Sequence, residues 1–163
     1  MIKFGSFYGV VKAINDFWTG NEETSGCYRL ITVQTRDGNI VNFVVSPFTY
    51  FVEYAMVSVG DMITGYYNAD APVPLIYPMQ IQAIVIVKDM FNINVKVDHF
   101  NNQLVSSDGM LKIIPSMQTK IVLVNNQEFY DNIENHNLIV IYGPSTRSIP
   151  AQTTPFKIVV LCL

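Results

Sequence analysis

Cysteine, histidine and tryptophan are scarce in this chain: two, two and one among 163 residues. Cys27 and Cys162 lie too far apart for a CxxC redox motif or a zinc ribbon, so free thiols are expected. His99 and His136 lack HExxH or any comparable spacing, and are expected as solvent-exposed turn residues rather than metal ligands. No apolar run approaches the roughly 18–20 residues that span a bilayer; the richest, Ala83–Val87 and Ile158–Leu163, have strand length. Membrane insertion is therefore not expected. The N-terminal segment alternates apolar with small or polar residues and lacks the apolar block of a signal peptide, which leaves the cytoplasm as the default expectation.

Charge is also sparse. Charged residues make up 14% of the chain against 50% hydrophobic, too little charge for disorder and ample apolar material for a core. A net charge of −3 offers no field for polyanions, so nucleic acid is disfavoured as a partner.

What the chain has is Val and Ile in runs of four to eight, separated by turn residues, the pattern of strands. Strands are expected over 7–15, 28–36, 39–45, 62–67 and 80–87. A second series falls over 92–98, 103–106, 110–114, 119–124, 138–142 and 156–161. Asp37-Gly38 and Asp108-Gly109 sit where tight hairpins belong, because glycine accepts the positive φ such turns need.

The two series align. Asp37-Gly38, Ser46 and Thr49 match Asp108-Gly109, Ser116 and Thr119; further on, Tyr66 matches Tyr142 and the run from Ala83 matches that from Lys157. A polar, glycine-bearing stretch over 15–26 has no counterpart in the second half and reads as a long loop. The expected fold is all-β: two tandem small OB-like β-barrels, residues 1–88 and 89–163, the second shorter. A barrel closes the exposed edges of so small a sheet. Runs apolar on both faces, such as Ile84–Val87, imply that the barrels pack together, and the lack of a flexible linker implies a rigid join.

Val59-Gly60-Asp61-Met62-Ile63-Thr64-Gly65-Tyr66-Tyr67 followed by Pro72-Val73-Pro74-Leu75-Ile76-Tyr77-Pro78 resembles an OB-like β-barrel module of poorly characterised Firmicutes proteins, over roughly residues 9–88. Met79 and Ile81 depart from the proline and the aromatic residue common at those positions in the family. The resemblance implies a barrel; it implies no activity, no cofactor and no catalytic residue.

Three prolines between Ala71 and Pro78 fix φ and remove backbone donors, so this stretch should be a stiff extended loop. Two readings follow. The loop plugs the barrel mouth with Leu75 and Ile76 as core, or it presents a docking platform built from Tyr66, Tyr67, Tyr77 and Pro74, with Trp18 in the long loop as a neighbour. The corresponding stretch Gly143–Pro150 has no aromatic residue, which places any functional surface on the first unit.

A second aromatic cluster, Phe48, Tyr50, Phe51 and Tyr54, would put Phe48, Tyr50 and Val52 on one strand face. Stacked single-stranded nucleic acid would also need a basic groove, and Lys12, Arg29 and Arg36 are scattered among acidic residues. No GxSxG elbow or phosphate-cradling glycine cluster occurs, Cys27 at the start of a strand lacks an activating neighbour, and Glu22-Glu23 lie in the long loop. The expectation is a non-catalytic binding or assembly module without metal or cofactor, directed at a protein partner or a further copy of itself. A carbohydrate- or single-strand-binding module using the aromatic loops is the alternative.

Overall fold

The computed structural model describes residues 1–163. The chain is all-β, with two single-turn 3-10 segments at Glu22–Thr24 and Val52–Tyr54. It forms two compact units, Gly5–Asp89 and Met90–Leu163, the latter including Met1–Phe4. No helix is long and apolar enough to cross a membrane.

In the first unit the strands are β1 (Phe4–Asp16), β2 (Arg29–Thr35), β3 (Ile40–Val45), β4 (Tyr50–Phe51), β5 (Met62–Asn68), β6 (Met79–Gln82) and β7 (Val85–Lys88), in sheet order β4-β7-β5-β1-β2-β3-β6. The single expected strand over 80–87 is two strands, because its hydrogen bonds change sides. The Ala83 N–H donates to Val44 on β3 at 3.0 Å, and the next N–H, of Ile84, donates to Tyr66 on β5 at 2.8 Å. β6 runs parallel to β3, whereas β7 pairs antiparallel with β5 and parallel with β4. One continuous segment, 79–88, thus joins the β3 edge of the sheet to its β5 edge and closes it into a ring.

The interior follows from alternation. Ile31 and Val33, Val41, Phe43 and Val45, and Ile63 and Ile81 are all buried in one cluster. On β1 the register slips between Val11 and Ala13, leaving Lys12 as a bulge; Val11 and Ile14 therefore both join the core although their spacing is odd. Gly65 is obligatory at its position: a Cβ there would lie 2.3 Å from the buried Phe43 ring. The Asp37-Gly38 hairpin forms as expected, with Gly38 at φ 89° and its N–H donating to the Thr35 carbonyl at 2.9 Å.

The second unit contains β8 (Asn94–Phe100), β9 (Leu111–Ile113), β10 (Lys120–Leu123), β11 (His136–Tyr142), β12 (Ala151–Thr153) and β13 (Lys157–Leu161). A four-stranded sheet runs β10-β13-β11-β8, and β12 pairs parallel with β9. The expected strand over 103–106 contributes only isolated bridges, Phe100 to Ser106 and Val105 to Lys112. Phe100, Leu111, Ile113, Leu138, Val140, Ile158 and Val160 form the core. The Asp108-Gly109 turn is tied by Asp108 Oδ1, which accepts from Ser106 Oγ at 2.7 Å and from the Met110 N–H at 3.0 Å. The buried Asp98 carboxylate accepts the His99 N–H at 2.8 Å and the Asp108 N–H at 3.3 Å.

The histidines are not turn residues. They sit half-buried on β8 and β11, where His99 pairs with Asn137 and His136 with Phe100. Adjacent register positions face opposite sides of a sheet, so the two rings do not converge. Cys27 does not begin a strand; it is exposed in the loop before β2.

Candidate functional site

The loop between β5 and β6 is rooted by Asn68, whose Oδ1 accepts the Asp70 N–H at 3.0 Å and whose carbonyl accepts the Ala71 N–H at 3.1 Å. Beyond this turn, Pro72, Pro74 and Pro78 restrict φ, but the chain bends at Leu75, Tyr77 and Pro78 instead of running extended as expected, and enters a strand only at Met79. The plug reading fails here. Leu75 is 101% exposed, Ile76 56% and Tyr77 82%, and Val73 is exposed beside them. The core cluster of the first unit includes none of them.

Beneath the loop base lies a small cavity of about 150 Å³, lined by Tyr67, Asn68, Pro72, Pro74, Gln80 and Gln82 among others. Tyr67 belongs to its wall rather than to a free platform. Its ring stacks on Phe7 at 5.6 Å and 7°, and packs against the core. Tyr66, the preceding residue on β5, is half-buried and points to the opposite sheet face. Two of the expected site residues, Tyr67 and Pro74, thus meet at the cavity, Tyr77 is displayed on the loop above, and Tyr66 is turned away.

Trp18 is 60% exposed in the loop after β1. That loop is ordered at its base by the Arg29–Asp16 ion pair at 2.6 Å and by Arg29 Nη1 donating to the Gly26 carbonyl at 2.7 Å. Asn21 caps its single turn through the Glu23 N–H. Asp16 pairs with Arg29, and Arg29 with Val45, whereas Met79, where the proline loop ends, pairs with Val41. The roots of the two loops therefore stand at opposite ends of β3.

Between those ends runs a feature that sequence reading passed over. Thr32, Asn42 and Gln80 occupy one row across β2, β3 and β6, with Thr32 Oγ1 donating to Asn42 Oδ1 at 2.6 Å. Their signal was the uncharged polar residue at alternate positions of otherwise apolar strands.

The other aromatic cluster does not follow strand alternation. Val52 is buried while Phe48 is 91% exposed, because the chain turns at Val52–Tyr54 with Glu53 and Tyr54 both at positive φ. Tyr50 is half-buried against the edge of Tyr54, and burial pushes its phenol up to about 12.

The charged groups pair locally. Lys88 Nζ lies 3.2 Å from Asp61 Oδ2, and the Ser58 N–H together with Lys88 holds that carboxylate below its usual range. Tyr8 donates to Asp89 at 2.5 Å, which raises the Tyr8 phenol. His99 Nδ1 lies 3.2 Å from Asn137 Oδ1, and His136 Nδ1 lies 2.8 Å from the Glu134 carbonyl with its ring edge-on to Phe129.

In the second unit the segment from Pro144 to Thr146 lies along β12. Thr146 N–H donates to the Gln152 carbonyl at 2.9 Å, the Gln152 N–H donates to Thr146 Oγ1 at 2.9 Å, and Thr153 Oγ1 donates to the Pro144 carbonyl at 2.7 Å. A groove of about 550 Å³ opens beside it. No protein-family model matches the chain, and no curated protein shows significant similarity to it.

Proposed function

We propose that the chain is a pair of OB-like barrels acting as a non-catalytic binding and assembly protein, whose first unit docks a protein partner through the apolar tip Val73–Tyr77. The barrel reading is supported by the closed ring of the first unit, with its parallel β3–β6 contact and Greek-key order. Duplication is supported by hydrogen bonds that recur in both units. Ser46 N–H donates to Thr49 Oγ1 and Ser116 N–H to Thr119 Oγ1, each at 3.0 Å. Ile84 N–H donates to Tyr66 at 2.8 Å, and Phe156 N–H to Ile141 at 2.9 Å. By this register Tyr66 corresponds to Ile141, and Tyr67 to Tyr142, one residue away from the expected alignment.

The observation that carries the docking role is the exposure of Leu75, Ile76 and Tyr77 on a proline-stiffened loop. Stiffness lowers the entropy lost on binding, and a few apolar and aromatic anchors supply most of the energy of an interface. Replacing Leu75, Ile76 and Tyr77 together by Ser should leave the thermal midpoint unchanged and abolish recovery of specific partners from a lysate of the source cells. A large loss of stability, or partners retained by the variant, would refute the docking role.

A further inference from the structure

The loop of the second unit that lacks aromatic residues has its own chemistry. Its groove, about 550 Å³, is broad, shallow and open to solvent. Ile114, Ser145, Thr146, Gln152 and Thr154 line it, with no charged side chain among the lining residues. Two of the lining hydroxyls are committed to construction: Thr146 and Thr153 bind the loop to β12 and make the wall rigid. The side chains of Ser145, Gln152 and Thr154 make no hydrogen bond within the protein and are exposed. Gln152 and Thr154 are two residues apart and project from the same side, while Thr153 between them is buried. Half-exposed Phe156 lies over Gly143, the residue before Pro144: a Cβ on Gly143 would come within 2.8 Å of its ring.

We infer that this groove is a binding site for a neutral saccharide. Hydroxyl and amide groups both donate and accept, as a sugar's hydroxyls require, and Ile114 offers apolar surface to the C–H face of a ring. The lining holds no charged side chain with which an ionised ligand could pair. The site belongs to the second unit and does not depend on the apolar tip of the first, so failure of either leaves the other standing.

The test is a glycan array carrying neutral, sialylated and uronate oligosaccharides, probed with the full chain and with a Gln152→Ala/Thr154→Val variant. Neutral glycans should bind. The double variant should bind them about tenfold or more weakly, the loss of two hydrogen bonds at about 1 kcal/mol each, with an unchanged thermal midpoint. Titration of the best neutral glycan into labelled full chain should shift the amide resonances of Ser145, Gln152 and Thr154, a readout that needs no variant. No neutral glycan bound, a preference for acidic glycans, binding unchanged in the variant, or shifts confined to other residues would each overturn the assignment.

Discussion

The Thr49 hydroxyl donates to the carbonyl of Ala83 at 2.9 Å while accepting the Ser46 N–H at 3.0 Å, so one side chain ties the turn after β3 to the point where β6 passes into β7. Thr119 makes the same pair of bonds, to Pro155 at 2.7 Å and from Ser116 at 3.0 Å. Thr49→Val keeps the shape and removes both bonds. Urea unfolding should show a loss of about 1–3 kcal/mol, with an unchanged denaturant slope. A loss below about 0.5 kcal/mol would mean that the clamp is incidental.

Gly65→Ala should destabilise the first unit by about 1–3 kcal/mol, because the new methyl would meet the Phe43 ring. Phe43 is wholly buried and cannot swing into solvent. Phe43→Leu in the same chain should recover part of that loss, and a double-mutant cycle measures the recovery. Additive losses would place the strain elsewhere.

Alkaline pH should weaken the fold through Tyr50. Burial raises its phenol from 10.0 to about 12, so the unfolded chain ionises first. The contribution is whole below pH 10 and disappears as pH climbs toward about 12. Tyr142, raised mainly by burial, and Tyr8, raised mainly by its bond to Asp89, act in the same direction. Tyr50→Phe should flatten the fall of the thermal midpoint across this window, and an equally steep fall in the variant would contradict the assignment.

Acid should act through Asp108. Burial works to raise its pKa, but Lys96, the Ser106 hydroxyl and the Met110 N–H outweigh it and hold the carboxylate below 3.8. Its stabilising effect is therefore complete above the unfolded value and is lost as pH falls through the lower folded one. Asp108→Asn should be less stable than the parent at pH 7, and the gap should narrow steadily below pH 4.

Trp18 reports on its loop. At 60% exposure its fluorescence should already resemble that of a solvated indole, and global unfolding should shift the emission maximum only slightly. A strongly blue-shifted native spectrum would show that the ring is covered in solution.

Much of this architecture is readable from residue patterns. The alternation through Ile31 and Val33 or Val41 and Phe43 places β2 and β3, and the two Asp-Gly pairs place their turns, because those signals act over a few residues. Signals that depend on distant partners are not readable in this way. Tyr50–Phe51 is a two-residue strand that exists only because β7 runs beside it, and the break at Ala83–Ile84 hides in a continuous apolar run. Leu75 and Ile76 look like core by composition, yet three prolines keep their loop from folding back. The neutral groove of the second unit escaped notice because Ser, Thr and Gln are ordinary loop residues until Thr146 and Thr153 fasten the loop to β12.

Closure of the first ring by residues 79–88 also bears on synthesis. A nascent chain emerges from the ribosome N-terminus first, and β3 and β5 leave before the segment that pairs with both. Until then their outer edges are open, and Val41, Phe43 and Ile63 lack the Ile81 and Ile86 side chains that complete their packing. Pauses in translation between Asn68 and Lys88 would hold the protein in its most aggregation-prone form, and fragments that stop there should need a chaperone to remain in solution.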